Sequence, residues 1–491
     1  MLGGLYTRLG GSPSPVLATF ALSLLLSLLA RMGSLINRDG ILYVETARIY
    51  LEGGFAPAMT EFYWPFFPVA FASIAKLTGL GLETSGYLLN AFFMAGACAL
   101  LVDIARRRFP DAVWFVVLVV LAIPGLNEYR NELLREYGAW FFSMLALWLA
   151  IRFDERPSWI LAQSILPSLA VAALFRPESL VLYPAIVIWQ TWSSPANERV
   201  RRLAMVAGPV CVLGVVFLIY FFSSSLYEKS RLASDVVRFG VQGLEQKVQA
   251  VAAVLPAYAG EQVRGILIWG SLAIIPERFL AKLGLFALPL LLLLFGGRLI
   301  DAVKRNSLLS CAFLAHVLVL SVFVVGMQFL AGRYVALLYL FSAPVIGYGI
   351  WRFVSDSPRW KIPVVALLSA LMVANVVSSE PAKRHFVDAG NWLSANAQDS
   401  QRVYVESART LYYSGWRPMR RWYTEDRREL AGLIKDGRFD LLVLEVSRKE
   451  KGFDQWVQES GVEVLVRFSH PNGDAVIVVR PKANQGSVQA G

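Results

Sequence analysis

Charged side chains that could carry chemistry stand at four places in an otherwise apolar chain. The first is Asn37-Arg38-Asp39-Gly40, followed by Glu45 and Arg48 and closed by Glu52-Gly53-Gly54. The second runs from Asn127 to Tyr137, where Glu132, Arg135 and Glu136 fall at i, i+3 and i+4 and would share one face of a helix. Arg176-Pro177-Glu178 is the third and Gly332-Arg333-Tyr334 the fourth. A carboxylate such as Asp39 can take a proton from a hydroxyl or an amine. Arginines offer paired N–H donors to a phosphate, and aromatic side chains such as Tyr63, Trp64 and Tyr334 suit the face of a sugar ring. The set reads as the machinery of a group transfer with a phosphate leaving group. Each place also has a structural reading: Asp39 as N-cap of a helix over 40–52 that the glycines end, an ion-paired helix start at Glu132–Glu136, and Arg333 snorkelling to lipid headgroups.

The elements that must position these residues are membrane helices. The chain has 491 residues, 56% hydrophobic and 17% charged, against about 25% charged in a soluble protein. That excludes an ordinary cytosolic enzyme. Apolar runs near 15–36, 85–105, 112–126, 134–151, 158–174, 178–192, 203–222, 279–296, 308–329, 332–351 and 361–378 predict eleven spans. Arg106–Arg108, Arg152 and Arg156, Arg199, Arg201 and Arg202, Arg298, Lys304 and Arg305, and Arg352, Arg359 and Lys361 fall in alternate connectors. The positive-inside rule puts those connectors and the N-terminus in the cytoplasm. All four charged places, the loops 37–84 and 223–278, and the tail then face outward. The net charge of +11 reports this orientation and gives no reason to expect nucleic acid.

The apolar stretch after Phe66 is expected to lie in the interface rather than to cross, because a further span would invert the topology. Residues 1–379 form the membrane module under this reading, and 380–491 a soluble α/β domain. In that domain the pattern predicts helices over 385–397, 408–413, 425–436 and 451–460, with strands at Arg402–Glu406, Asp440–Val446, Val462–Ser469 and Asp474–Arg480. Pro471-Asn472-Gly473-Asp474 is the turn of a final hairpin. His316 in its apolar run reads as a packing residue, and His385 and His470 are too isolated in sequence to suggest zinc.

In order and common side, these elements resemble the GT-C class of integral-membrane glycosyltransferases, in particular bacterial proteins similar to protein O-mannosyltransferases (glycosyltransferase family 39) and the lipid A aminoarabinose transferases. The resemblance is carried by the early acid with its helix ending at Glu52-Gly53-Gly54, the aromatic-proline segment at 63–68, Arg-x-x-x-x-x-Arg-Glu before the fourth span, Arg176-Pro177-Glu178, and Gly332-Arg333-Tyr334. It implies an all-α membrane fold with a small periplasmic α/β domain, in a bacterial inner membrane. The implied reaction is inverting transfer of a sugar from a polyprenyl-phosphate donor to an envelope acceptor: a glycan, a lipid or a protein. Asp39 would be the base and Glu136 the second catalytic acid, with Glu132 the second choice for that place. Arg333, Arg135 and Arg176 would hold phosphate, and Glu178, Glu45, Tyr63, Trp64 and Tyr334 would line the substrate.

No cofactor is implied with certainty. Asp39 and Glu136 could share a divalent metal, although the resembled families commonly act without one. The chain departs from the family in having Gly40 where many relatives have an acid. A lipid-linked oligosaccharide ligase or polymerase shares the same side and the same lipid. A lipid or sugar transporter is the non-enzymatic alternative, and transporters place their ionisable groups nearer the midplane.

Overall fold

The computed structural model describes residues 14–208, 241–377, 383–398, 402–417 and 426–482. Helices stand at every expected apolar run except 203–222, most of which lies outside the described residues. Among the described helices, Leu82–Arg108, Val263–Phe295, Ser307–Met327 and Gly332–Asp356 are each long and apolar enough to cross a bilayer. The chain is a multi-pass membrane protein. It divides into two compact units, one of Met1–Ala30, Leu89–Arg130 and Arg135–Val377, the other of Arg31–Leu88, Asn131–Leu134 and Ser378–Gly491.

In the first unit, the basic ends of the helices are neutralised by acids one turn away on the same segment and by acids of a neighbouring helix. Asp103 accepts from Arg106 at 2.5 Å, from Arg107 at 2.9 Å and from the Trp148 indole at 2.8 Å. Arg107 also reaches Glu155 at 2.7 Å, while Arg202 pairs with Glu198 at 2.8 Å and Asp154 at 3.4 Å. One boundary differs from expectation. An apolar helix begins at Val263 rather than near 279 and runs to Leu283, through Pro276 and the charged Glu277 and Arg278. Those charges imitate a connector in the sequence, but Lys282 on the same helix is matched by Glu128 at 2.6 Å. The helix ends at Gly284, whose positive φ of 56° a side chain would strain.

In the second unit, helix Arg38–Gly53 starts two residues earlier than an Asp39 cap would allow. Asn37 holds the N-cap position and Asp39 lies in the first turn, where a negative charge complements the helix dipole. Asn37 does not cap with its side chain. Its Oδ1 instead accepts from the Leu133 N–H at 2.9 Å, and its Nδ2 donates to the Leu133 carbonyl at 3.3 Å. Gly54, with φ 84°, ends the helix as the sequence predicts. Helix Phe66–Thr78 has 13 residues, hence about 20 Å of length, too short to cross a hydrocarbon core of about 30 Å. It buries Phe67 and Phe71, and Phe67 packs edge-to-face on Tyr43.

The tail follows the predicted order of elements. Strands β1 (Val403–Val405), β2 (Leu441–Val446), β3 (Val462–Ser469) and β4 (Ala475–Pro481) form one sheet in the order β1-β2-β4-β3. β1 and β2 are parallel, and the β3–β4 hairpin closes antiparallel against β2. Leu442, Leu444, Ile477 and Val479 face one core with Leu430 and Ile434, while Val443, Val476 and Val478 face another with Phe386 and Leu393. This is the period-2 alternation of a sheet covered on both sides. The hairpin turn is held by Gly473, at φ 97°, and by side-chain bonds between Asn472 and Asp474.

The turn also brings His470 against His385, with ring centroids 5.3 Å apart. The two histidines that the sequence separates are therefore neighbours. Burial, helped by His470 and by the cations Lys383 and Arg409 against the opposing pull of Asp474, pushes the His385 imidazole down to about 4 from 6.5. A histidine kept neutral in the fold stabilises it above the unfolded-state value, and that stability is lost as pH falls from about 6.5 towards 4. Thermal unfolding at stepped pH is expected to show the wild type losing on the order of 1–3 kcal/mol more than His385→Leu across that window. Parallel curves for the two proteins would refute the assignment.

Candidate functional site

The path to Glu136 is set by a buried polar turn. Helix Val113–Ala122 stops where Ile123 precedes Pro124, since the residue before a proline is pushed to extended geometry. Asn127 then donates from Nδ2 to the carbonyls of Val120 at 3.1 Å and Ile123 at 2.8 Å, closing off the helix end. Its Oδ1 accepts from Arg130 Nε at 2.8 Å. The Arg130 guanidinium is 4% exposed and donates to the Ser23 carbonyl, the Ser27 hydroxyl and the Ser23 hydroxyl at 2.8, 2.7 and 3.1 Å, all on helix Pro15–Arg31.

The expected shared face of Glu132, Arg135 and Glu136 does not form. Glu132 sits in a bend and Arg135 in a turn, and helix Glu136–Glu155 begins only at Glu136. Helical spacing carries no meaning across a segment tied down at Arg130 and Leu133. At the first position of its helix, Glu136 is 4% exposed. Arg333 Nε stands 3.2 Å from its Oε1 and Arg176 Nη1 3.7 Å from the same oxygen. Its Oε2 is buried and has no hydrogen-bond partner among the described residues.

Arg176 is placed by its own proline. Helix Trp159–Phe175 ends because Arg176, preceding Pro177, is extended at φ −145°, ψ 107°. The side chain then reaches Glu178 at 2.6 Å and lies 4.5 Å above the centre of the Tyr334 ring. Arg333 is placed by a glycine, since a Cβ on Gly332 would stand 2.3 Å from the Tyr129 hydroxyl. His316 Nε2 lies 2.9 Å from the Tyr334 carbonyl and completes the wall with Trp140. Sequence reading treated His316 as packing. The signal that could have promoted it is its polarity within a span, where ionisable groups are costly and default to function.

Two guanidiniums thus face two carboxylates, Glu136 and Glu178, around a cavity of about 20 Å³, room for a single water. The cluster's formal charges cancel. In this state it holds arginines in register without admitting a sugar. Among the predicted site residues, Glu136, Arg176, Glu178, Arg333 and Tyr334 come together here, whereas Arg135 precedes the helix without lining the cavity.

Asp39, Glu45, Glu132, Tyr63 and Trp64 belong to the other compact unit. Glu45 is buried and bonded to Arg48 at 2.6 Å. Tyr63 is exposed beside Trp64, whose indole N–H is buried without a hydrogen-bond partner among the described residues. A Cβ on Gly40 would lie 2.6 Å from Asn37 Oδ1 and 3.0 Å from Leu133 Cβ. Glycine at this position has a steric reason: the Asn37–Leu133 clamp occupies that space. Among the described residues, no three His, Cys, Asp or Glu side chains cluster closely enough to hold a metal ion.

Helices in this order, followed by a small α/β tail, form a fold shared with a solved oligosaccharyltransferase. The crystal structure of the Archaeoglobus fulgidus oligosaccharyltransferase, a complex with Zn and sulfate, is similar with a TM-score of 0.53 and 10% identity, over 94% of this chain and 73% of that one. Two crystal structures of ArnT from Cupriavidus metallidurans, apo and bound to undecaprenyl phosphate, align at 14% identity over 94% of this chain and 97% of theirs, with TM-scores of 0.45 and 0.41. No protein-family model and no curated protein matches the chain by sequence.

Removing Glu136 takes a buried carboxylate away from two guanidiniums, and breaking a buried ion pair costs about 3–5 kcal/mol. Glu136→Ala is therefore expected to lower the unfolding temperature in detergent well beyond Glu178→Ala, whose carboxylate is more exposed. Equal shifts would contradict the central place of Glu136. Gly40→Ala is expected to break the Asn37–Leu133 bonds, read as faster amide exchange at Leu133; unchanged protection there would contradict the clamp.

Proposed function

We propose that the protein is a glycosyltransferase that moves a sugar from a polyprenyl-phosphate donor to an acceptor at the periplasmic face of a bacterial inner membrane, with inversion at the anomeric carbon. The observation that carries this reading is the pair of arginines, Arg176 and Arg333, gathered on the buried Glu136 carboxylate of a GT-C fold. Such a pair matches a phosphate leaving group, because the departing oxygen gains negative charge as its bond to the sugar breaks. Residues 1–379 are the catalytic module in this proposal and 380–491 the periplasmic domain.

The reaction balances without further reagents. Asp39 accepts the proton of the acceptor hydroxyl or amine as that atom attacks the anomeric carbon from the face opposite the phosphate. The carbon–oxygen bond to phosphate breaks, its electron pair leaves with the phosphate oxygen, and polyprenyl phosphate is released. Arg176 and Arg333 meet that charge with N–H donors, which their ion pairs with the two acids keep aimed until the donor arrives. Tyr334, under the Arg176 guanidinium, fixes its plane.

Asp39→Asn keeps the shape of the first helical turn and removes the base. Transfer from a polyprenyl-monophosphate sugar to an envelope fraction, followed with a radiolabelled sugar, is expected to fall by about 100- to 10,000-fold in this variant while its melting curve stays in place. Near-normal turnover would remove Asp39 from the mechanism. Turnover by the wild type with a polyprenyl-diphosphate oligosaccharide and not with the monophosphate would replace the reading with that of an oligosaccharide ligase.

A further inference from the structure

A second cleft, of about 600 Å³, lies within the compact unit that contains the tail. Its volume is in the range of roughly 300–1,000 Å³ typical of small-molecule sites. Its place in the fold is informative. The parallel strands β1 and β2 run into it, and the residues just past their carboxyl ends, Glu406 and Ser447, line its wall. In open α/β sheets, ligands bind in the crevice outside those strand ends.

Most of the lining residues are charged, and their charges are unequally spent. Arg427 is matched by Glu406 at 3.1 Å and Glu450 at 2.9 Å, and Glu406 also accepts from the Glu445 N–H at 2.8 Å. On the facing side, neither Lys383 nor Arg409 forms an ion pair among the described residues. Arg409 donates to the Ile36 carbonyl at 3.1 Å and lies 5.3 Å above the Phe386 ring. Asp474, whose charge reaches Lys383, bonds the Arg448 N–H and the Asn472 amide. His385, which feels the charge of both cations, is 4% exposed and has a buried Nδ1 with no hydrogen-bond partner among the described residues. A buried polar atom left unsatisfied costs about 1–3 kcal/mol, and a ligand group can recover it.

We propose that this cleft binds an anionic saccharide, a sugar ring carrying a phosphate or a carboxylate, with the anion at Lys383, Arg409 and His385 Nδ1 and the hydroxyls at Glu445, Glu450 and Arg427. The mixture of acceptors and donors on one wall fits the hydroxyls of a sugar, each of which both donates and accepts. The cations without ion pairs on the other wall fit one negative group. Under the glycosyl-transfer reading, on which this assignment of role rests, the ligand is the acceptor. Binding itself does not depend on that reading.

The test is isothermal titration of the purified full chain in detergent with glucose 1-phosphate, glucuronate, glucose and inorganic phosphate. Glucose 1-phosphate and glucuronate are expected to bind, and glucose and inorganic phosphate each to bind about tenfold more weakly, the worth of a charge-assisted hydrogen bond or of the lost hydroxyl contacts. Lys383→Gln, at an exposed position, and Arg409→Gln are each expected to weaken glucuronate binding about tenfold, with Arg409→Lys restoring part of it. Glucose binding as tightly as its phosphate, inorganic phosphate binding as tightly as either charged sugar, or unchanged glucuronate binding by Lys383→Gln would overturn the proposal. An inactive wild type that still binds the anionic sugars would refute the transferase reading and leave the site standing.

Discussion

The structure turns on the cost of carrying charge into a protein made mainly of apolar helices, and Arg130 is the sharpest instance. Its guanidinium is buried and held by hydroxyls, a carbonyl and the Asn127 side chain, with no carboxylate among the groups that bond it. A cation so placed is tolerable only while every donor has an acceptor. That requirement fixes Ser23 and Ser27 on the first helix, the turn at Asn127, and the direction in which the chain leaves for Leu133 and Glu136. The buried acid Glu136 is consequently aimed by a residue that lies outside its cluster.

Neutrality is reached differently at each depth. The basic residues Arg106–Arg108 and Arg202 are met by acids one turn away on their own segments, Asp103 and Glu198, and by Asp154 and Glu155 of a neighbouring helix. Glu136, Arg176, Glu178 and Arg333 are drier and cancel as a closed set. Around β1 and β2 the pairing is complete on one wall only, and the asymmetry of the cleft follows from that.

Much of the fold was legible because each segment announces itself locally. The apolar runs, the alternation of Val462–Ser469 and Ala475–Pro481, and the Asn472-Gly473 turn required no partner to be recognised. What escaped was decided between distant segments. Asn37 gives its side chain to Leu133 instead of to its own helix, so Asp39 could be mistaken for the cap. The spacing of Glu132, Arg135 and Glu136 resembled a helical face, but Arg130 bonds the first helix before that face can form. Glu277 and Arg278 resembled a loop because charge within a long apolar helix reads as its end. His385 and His470 meet only after a hairpin folds back across the sheet. Of the predicted site, five residues share one cavity, and sequence order gave no hint that His316 would join them.

The sealed cluster at Glu136 has a consequence for selectivity in a crowded bilayer. Phospholipid headgroups offer phosphodiesters at very high local concentration, and an exposed arginine pair would collect them indiscriminately. Arg176 and Arg333 present no net charge while Glu136 and Glu178 hold them, so a headgroup drifting past gains little by approach. Only a ligand that supplies enough contacts elsewhere to displace a carboxylate can claim the pair. If the pair takes a phosphate as proposed, the acids next to the arginines act as a threshold, rejecting abundant weak competitors by making every phosphate compete with an anion already in place.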